Sequence, residues 1–137
     1  MRKEIKKQWI EALLSKDYKQ TKGKLHDSNG YCCLGVLCQL HCLATSGQWE
    51  QLPNLGESLY TASEVKVYSY LDKECTLPDE VVDWANLETE DYIEGENPIT
   101  TLTRMNDDGN SFRQLALWIK NNIPEQTETE QTKLELA

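Results

Sequence analysis

The sequence has no apolar run that approaches the ~20 residues with which a helix crosses a bilayer. Its first residues lead into an amphipathic pattern and not into the apolar centre of a signal peptide, so we expect a soluble protein that stays where it is made. Histidine is scarce, with only His26 and His41 present. The vicinal pair Cys32-Cys33 could be redox-active or supply a nucleophile, and His26 could reach Cys32 across the loop as its base. Nothing in the spacing requires this, and we predict no catalytic residue.

Disulfide and metal sites also have little support. The five cysteines are odd in number and four of them crowd into eleven residues, unlike the dispersed framework of a secreted scaffold. Cys38, His41 and Cys42 would share one helix face and offer zinc ligands, yet a fourth ligand is missing and cysteine in an apolar helix behaves as a small hydrophobe. We therefore predict reduced thiols, no metal and no cofactor.

Charge is abundant but unevenly distributed. The net charge is −9, yet residues 1–44 hold 8 Lys and Arg against 4 Asp and Glu, which leaves 6 against 19 for the rest. An acidic chain repels nucleic acid and anionic membranes at long range, so neither is predicted as a partner. A local basic surface can still hold a small anion, and the acidic part could dock on a basic protein.

Periodicity gives the fold class. Apolar residues at helical spacing predict helices over residues 3–16 and 31–44. Proline and acidic residues at Leu77-Pro78-Asp79-Glu80 start a short helix, and a capping box from Ser111 to Gln114 starts another. The fold class is therefore α+β, mainly α, a compact single domain of three to five helices with a small hairpin or short sheet.

The remaining segments complete this prediction. Residues 45–57 are predicted as loop, and residues 59–71 fit a strand or a helix equally. Residues 88–98 form an acidic surface loop, and Ile99 to Leu102 a brief extended piece. Residues 1–123 then make the single globular domain, and 124–137 a disordered acidic tail.

The lysine-rich segment ahead of the second helix is a candidate anion site. It gathers an aromatic ring, an amide and three ammonium groups, in Tyr18, Lys19, Gln20, Lys22 and Lys24. Lysine binds phosphate as a point charge, helix amides add positive charge, and Tyr18 or Tyr31 could stack on a base. A solvated hairpin, with lysines that only keep the surface polar, explains the segment equally well.

A second candidate is the turn at Asn106 to Asn110. It lacks the acidic spacing and closing glutamate of a calcium loop. Asn106, Asp107, Asn110 and Ser111 offer donors and acceptors suited to ribose or base edges. The alternative of a simple capped turn is favoured over this one.

Several of these strings together resemble a known family. They are Gly30 to Cys38 (GYCCLGVLC), Leu77-Pro78 with Trp84-Ala85, and the NDxGxSF pattern that ends at Phe112. The chain resembles, over most of residues 5–123, small phage and prophage proteins without an assigned function. The resemblance implies an accessory protein in the cytoplasm of an infected bacterial host. Such proteins often counter host defence, by sequestering nucleotide immune signals or by blocking a defence enzyme.

We therefore expect a phosphate-bearing, nucleotide-like anion, such as a cyclic or ADP-ribose-derived signal, to be bound without turnover. Lys19, Lys22 and Lys24 would hold phosphate, while the turn at residues 106–111 would read ribose or base. One alternative is a protein inhibitor of a host defence enzyme, which would use the acidic residues 88–96. Another is a nucleotide hydrolase that depends on His26 or Cys32. A homo-oligomer is compatible with each of them.

Overall fold

The computed structural model describes residues 1–52, 66–87 and 97–125. Their elements follow in the order α1 (Lys3–Leu14), β1 (His26–Asp27), β2 (Gly30–Tyr31), α2 (Cys33–Thr45), β3 (Trp49–Gln51), β4 (Val67–Tyr70), α3 (Asp79–Ala85), α4 (Pro98–Asp107) and α5 (Phe112–Asn122). The predicted fold class is confirmed, because these helices and the small antiparallel sheet make a compact, mainly helical α+β fold.

Helix α2 lies at the centre of the core. Every residue from Cys33 to Cys38 is buried, which explains why this stretch of sequence is apolar all round. Trp9 of α1 is fully buried beside it, and its indole Nε1 donates a hydrogen bond of 2.9 Å to the carbonyl oxygen of Cys33. Helix α1 packs on both α2 and α5, and α4 also contacts these two helices.

The start of α2 is fixed by a close backbone approach at Gly35. A Cβ on Gly35 would lie 1.7 Å from the carbonyl oxygen of Leu25, closer than any real contact. The Gly35 amide in turn donates to the Sγ of Cys32, the residue that caps the helix (3.4 Å). Glycine is therefore required here by contact with the preceding segment.

The four strands pair antiparallel in the order β2-β1-β4-β3. His26 stands opposite both Tyr31 and Tyr68, and its ring stacks on Tyr31 with 3.9 Å between centroids. The turn between β1 and β2 is held by the buried Asp27, whose carboxylate accepts from the amides of Asn29 and Gly30. The predicted hairpin before α2 is therefore present.

The helix predictions over residues 3–16 and 31–44 are confirmed, and so are the helices begun near Leu77 and at Ser111. The prediction of an extended piece at Ile99 to Leu102 is wrong. Those residues lie in α4, which begins at Pro98 and is capped by Asn97. Part of the predicted loop 45–57 is strand β3, since pairing with β4 supplies its backbone hydrogen bonds. The acidic loop at 88–96, residues 53–65 and the tail from 126 lie outside the described residues.

Candidate functional site

The two segments singled out in the sequence lie side by side. The Gln20 Nε2 donates to the Asn106 Oδ1 (2.8 Å) and to the carbonyl oxygen of Asn110 (2.7 Å). The amide of Gly23 donates to the carboxylate of Asp107 at 2.9 Å. Side-chain hydrogen bonds thus join residues 20–23 to the turn between α4 and α5.

Asn106 is the centre of this junction and is completely buried. Its Oδ1 accepts from the Gln20 side chain and from the Cys33 amide (3.3 Å), and its Nδ2 donates to the Thr21 carbonyl oxygen (2.8 Å). These bonds use its amide oxygen and nitrogen within the protein. Asn106 therefore holds three segments together and does not line a surface that a ligand could reach.

The rest of the turn is organised around the start of α5. Asn110 donates from Nδ2 to the Met105 carbonyl oxygen at 2.9 Å. Ser111 Oγ accepts from the Gln114 amide, and the Gln114 side chain accepts from the Ser111 amide. The predicted capping box is confirmed. Asp107 is exposed, with one carboxylate oxygen held by Gly23.

The three predicted phosphate-binding lysines do not converge on one point. Lys24 reaches away to Glu74, with 3.3 Å between Nζ and Oε1. The Nζ of Lys22 lies beside Gly109, next to the acidic pair at positions 107 and 108. Lys19 is exposed, and its carbonyl oxygen accepts from the Tyr31 amide.

A groove of about 660 Å³ opens next to the junction, and we call it the Tyr18 groove. It lies between the end of α1 and the start of α5. Its lining residues are Leu13, Leu14, Lys16, Tyr18, Gln20, Ser111, Phe112 and Arg113. Three of the predicted site residues are therefore brought together, alongside two cations that the sequence did not single out. Lys19, Lys22 and Lys24 are not among the lining residues.

The electrostatics of the Tyr18 groove favour an anion. Lys16 and Arg113 contribute two positive charges, and none of the described residues that line the groove is acidic. The first intrahelical bond of α5 runs from the Leu115 amide to the Ser111 carbonyl oxygen, so the amides of residues 112 and 113 have no acceptor within the helix. Such amides and the helix dipole attract negative charge.

Tyr18 is the aromatic ring of this groove. Partial burial, with the neighbouring Asp17, raises the pKa of its hydroxyl, which therefore stays protonated near neutral pH. Its ring makes a T-shaped contact with Tyr31, with 5.2 Å between centroids. Tyr31 is itself stacked on His26, so it supports Tyr18 and has one ring face occupied. Of the two predicted stacking residues, Tyr18 is the one that lines the groove.

The thiols around α2 are unsuited to nucleophilic chemistry. Burial raises the pKa of Cys32 to about 11, and those of Cys33 and Cys38 well above their usual range. Protonated thiols are poor nucleophiles and poor metal ligands. No group of three or more His, Cys, Asp or Glu side chains is placed to hold a metal ion in the described part of the chain.

His41 has a structural setting within the core. Its Nδ1 lies 2.5 Å from the Tyr70 hydroxyl, and Trp84 packs edge-on against its ring at 5.1 Å between centroids. Burial lowers the pKa of His41, an effect that nearby Glu80 partly opposes. On the helix face predicted to carry Cys38, His41 and Cys42, the histidine therefore packs against aromatic side chains.

Comparison with known proteins gives a family and no activity. The chain belongs to the family described as a domain of unknown function, DUF8296, whose model matches residues 1–123. No curated protein and no solved structure matches it. Among the described residues, no helix is long and apolar enough to cross a membrane.

Proposed function

We propose that this chain, as a member of that family of unknown function, binds a small phosphate-bearing ligand of the nucleotide type and releases it unchanged. From the resemblance to phage proteins we propose its setting as an accessory protein in the cytoplasm of an infected bacterium. There it would sequester a nucleotide immune signal. The Tyr18 groove is the proposed site.

One observation carries the proposal. Lys16 and Arg113 both line a groove at the start of α5, and the described lining of that groove has no carboxylate. In a chain of net charge −9, such a place is unusual and attracts anions selectively. A guanidinium at a helix N-terminus matches the forked oxygens of a phosphate.

The walls of the groove suit the remainder of a nucleotide. Leu13, Leu14 and Phe112 give an apolar lining, and Tyr18 adds a ring on which a base can stack. A volume of about 660 Å³ lies within the usual range for small-molecule sites, roughly 300 to 1,000 Å³. Gln20, fixed by its bonds to the α4–α5 turn, leaves its side-chain oxygen to accept from a base or ribose.

Binding without turnover is supported by the chemistry of the lining. A hydrolase requires a general base or a nucleophile near the scissile bond, and the described lining offers neither a carboxylate nor an imidazole. The thiol of Cys32, with its pKa raised to about 11, is protonated at neutral pH.

The proposal is tested by a thermal-shift screen of the full chain against cyclic di- and trinucleotides and ADP-ribose derivatives. At a ligand concentration of about 100 times Kd, mass action adds roughly 2.7 kcal/mol to stability, or roughly 10 °C in Tm for a chain of this size. The recovered ligand should be chemically intact. An altered ligand would instead indicate the hydrolase alternative, which requires His26 or Cys32.

Two pairs of variants locate the site. Lys16→Ala with Arg113→Ala should weaken affinity at least about tenfold, since each removes a charge-assisted contact, and should leave Tm of the unliganded protein nearly unchanged. Lys66→Ala with Lys73→Ala removes the same charge from exposed positions elsewhere and should have no effect.

A third pair, Lys22→Ala with Lys24→Ala, tests the lysine segment. If only that pair abolished binding, the phosphate would belong to residues 19–24 and not to the Tyr18 groove. If no nucleotide raised Tm, the remaining candidate would be inhibition of a host defence enzyme through acidic residues 88–96, outside the described residues. A pull-down from host lysate would test this alternative by comparing the parent chain with a variant in which the charges of that segment are reversed.

A further inference from the structure

Helices α1 and α5 carry matching stripes of cationic and apolar side chains on the face turned away from the core. Residues three, four and seven apart share one side of a helix. The two stripes are Lys3, Lys7, Ile10 and Leu14 on α1, and Arg113, Leu117 and Lys120 on α5. The residues that α1 and α5 bury, such as Trp9 and Ile119, lie on the other side. We call the two stripes together the α1–α5 face.

The stripes lie next to each other and run in opposite directions. A second groove of about 490 Å³ brings Lys3, Lys7 and Ile10 together with Lys120. Its lining also includes Lys6, which is paired with Glu125, and Glu11, so cations still outnumber carboxylates there. At the other end of the helix pair, Leu14 and Arg113 both line the Tyr18 groove. Because the stripes meet at both ends, they form one continuous surface.

Along this surface, cations lie at the ends and apolar side chains in the middle. Lys3, Lys7 and Lys120 occupy one end, and Arg113 occupies the other. Between them lies Leu117, which is 59% exposed, and beside Arg113 lies Leu14, which is 50% exposed. Large aliphatic side chains left this open on adjacent helices, bordered by charges, are typical of a protein-binding surface.

Lys6 joins α1 to the end of α5. It is buried, and its Nζ donates to the carbonyl oxygens of Ile123 (2.6 Å) and Lys120 (3.3 Å) at the end of α5. This lysine fixes α5 against α1, and its charge is satisfied by those carbonyls and by Glu125. In the described part of the chain, no carboxylate lies within ion-pair distance of Lys3, Lys7 or Lys120. Their charges therefore remain available to a partner.

We propose that the α1–α5 face docks an acidic segment of another protein, one that presents apolar side chains flanked by carboxylates. Charge complementarity selects this occupant, since the exposed ends are cationic and the centre is aliphatic. The α1 stripe spans about 16 Å, which matches roughly three turns of a partner helix.

The probe is a synthetic, fluorescein-labelled helical peptide of about 15 residues, or about four helical turns, with leucines at its centre and glutamates at both ends. Fluorescence anisotropy with the full chain should show saturable binding that weakens as salt increases. A matched peptide with lysine in place of each glutamate should not bind. Failure of the acidic peptide to bind, or equal binding of both peptides, would overturn the proposal.

Variants connect the binding to this face. Lys7→Glu with Lys120→Glu should weaken peptide affinity at least about tenfold, because each reversal replaces an attraction by a repulsion. Lys66→Glu with Lys73→Glu changes the net charge equally at exposed sites elsewhere and should cost less than about twofold. Leu117→Asn should weaken the affinity at high as well as low salt, since it removes an apolar contact. A loss of the same size in the control pair would refute the assignment to the α1–α5 face.

Other occupants are separated by two further measurements. Binding to phosphatidylserine vesicles that Lys7→Glu with Lys120→Glu abolishes, without peptide binding, would overturn the proposal in favour of a membrane. Self-association in sedimentation velocity that the same variant abolishes would overturn it in favour of a second copy. Lys7 and Lys120 lie outside the Tyr18 groove, so nucleotide binding should survive in this variant and the two proposals can fail separately.

Discussion

Replacing Asn106 with alanine should be among the most damaging single changes in the protein, although the residue looks in sequence like part of a surface turn. The side chain is fully buried and makes hydrogen bonds to two other segments, at Gln20 and Thr21 and at Cys33. Gln20 is only half-buried and can turn to water, but the Cys33 amide and the Thr21 carbonyl oxygen would lose a buried partner. At about 1–3 kcal/mol for each of these two buried groups left unsatisfied, the loss is about 2–6 kcal/mol.

Urea unfolding followed by the fluorescence of the four tryptophans measures this loss directly. The midpoint should fall while the m-value stays constant, because the change acts on the native state. Asn122→Ala is the matched control, since that exposed amide bonds only to the Trp118 carbonyl oxygen one turn away. It should change stability by less than about 0.5 kcal/mol. If Asn106→Ala were no more destabilising than Asn122→Ala, the role assigned to this junction would be refuted.

Three further predictions concern the core around α2. Gly35→Ala should lower the free energy of unfolding, measured in urea, by more than about 3 kcal/mol. The new Cβ would overlap the Leu25 carbonyl oxygen, so backbone atoms would have to move. A variant as stable as the parent would contradict this. Burial lowers the pKa of His41, so its contribution to stability is complete above the unfolded-state pKa of about 6.5 and is lost as pH falls below it. His41→Gln should lose less stability than the parent between pH 7 and pH 5, and parallel pH curves would exclude that histidine as the cause. Under native conditions a thiol reagent should modify exposed Cys75 first and Cys33 only after unfolding, and fast labelling of Cys33 would show that the core opens readily.

Where local signals and packing agree, the sequence predicts the fold well. Helices α1 and α5 are amphipathic, and the capping box at Ser111 marks the start of α5 within one residue. Helix α4 was missed because Ile99, Thr100 and Thr101 are β-branched and suggest an extended chain. The correct signal was Asn97-Pro98, a cap residue followed by the residue best suited to a first helical position.

The sequence predicts the candidate site only in part, because the site depends on which distant residues lie close together in the folded chain. The association of residues 18–24 with the α4–α5 turn fits the idea that both segments serve one site. No feature of the sequence favours Lys16 and Arg113 over the lysine segment, since their convergence follows from the packing of α1 on α5. The turn signal predicts a surface position for Asn106, because it does not show that the side-chain amide points into the protein.

The packing of α1 on α5 also has a consequence for synthesis of the chain. The apolar side of α1 finds its main helical partner only about 100 residues later, and the bonds of Gln20 to Asn106 span almost as much of the chain. At about 5–20 residues per second, a ribosome needs roughly 5–20 seconds to make the intervening residues. During that interval Ile5, Trp9 and Leu13 lack the surface that covers them in the native protein. The nascent chain is therefore a candidate client for ribosome-associated chaperones, and completion of the core should wait until α5 has left the exit tunnel.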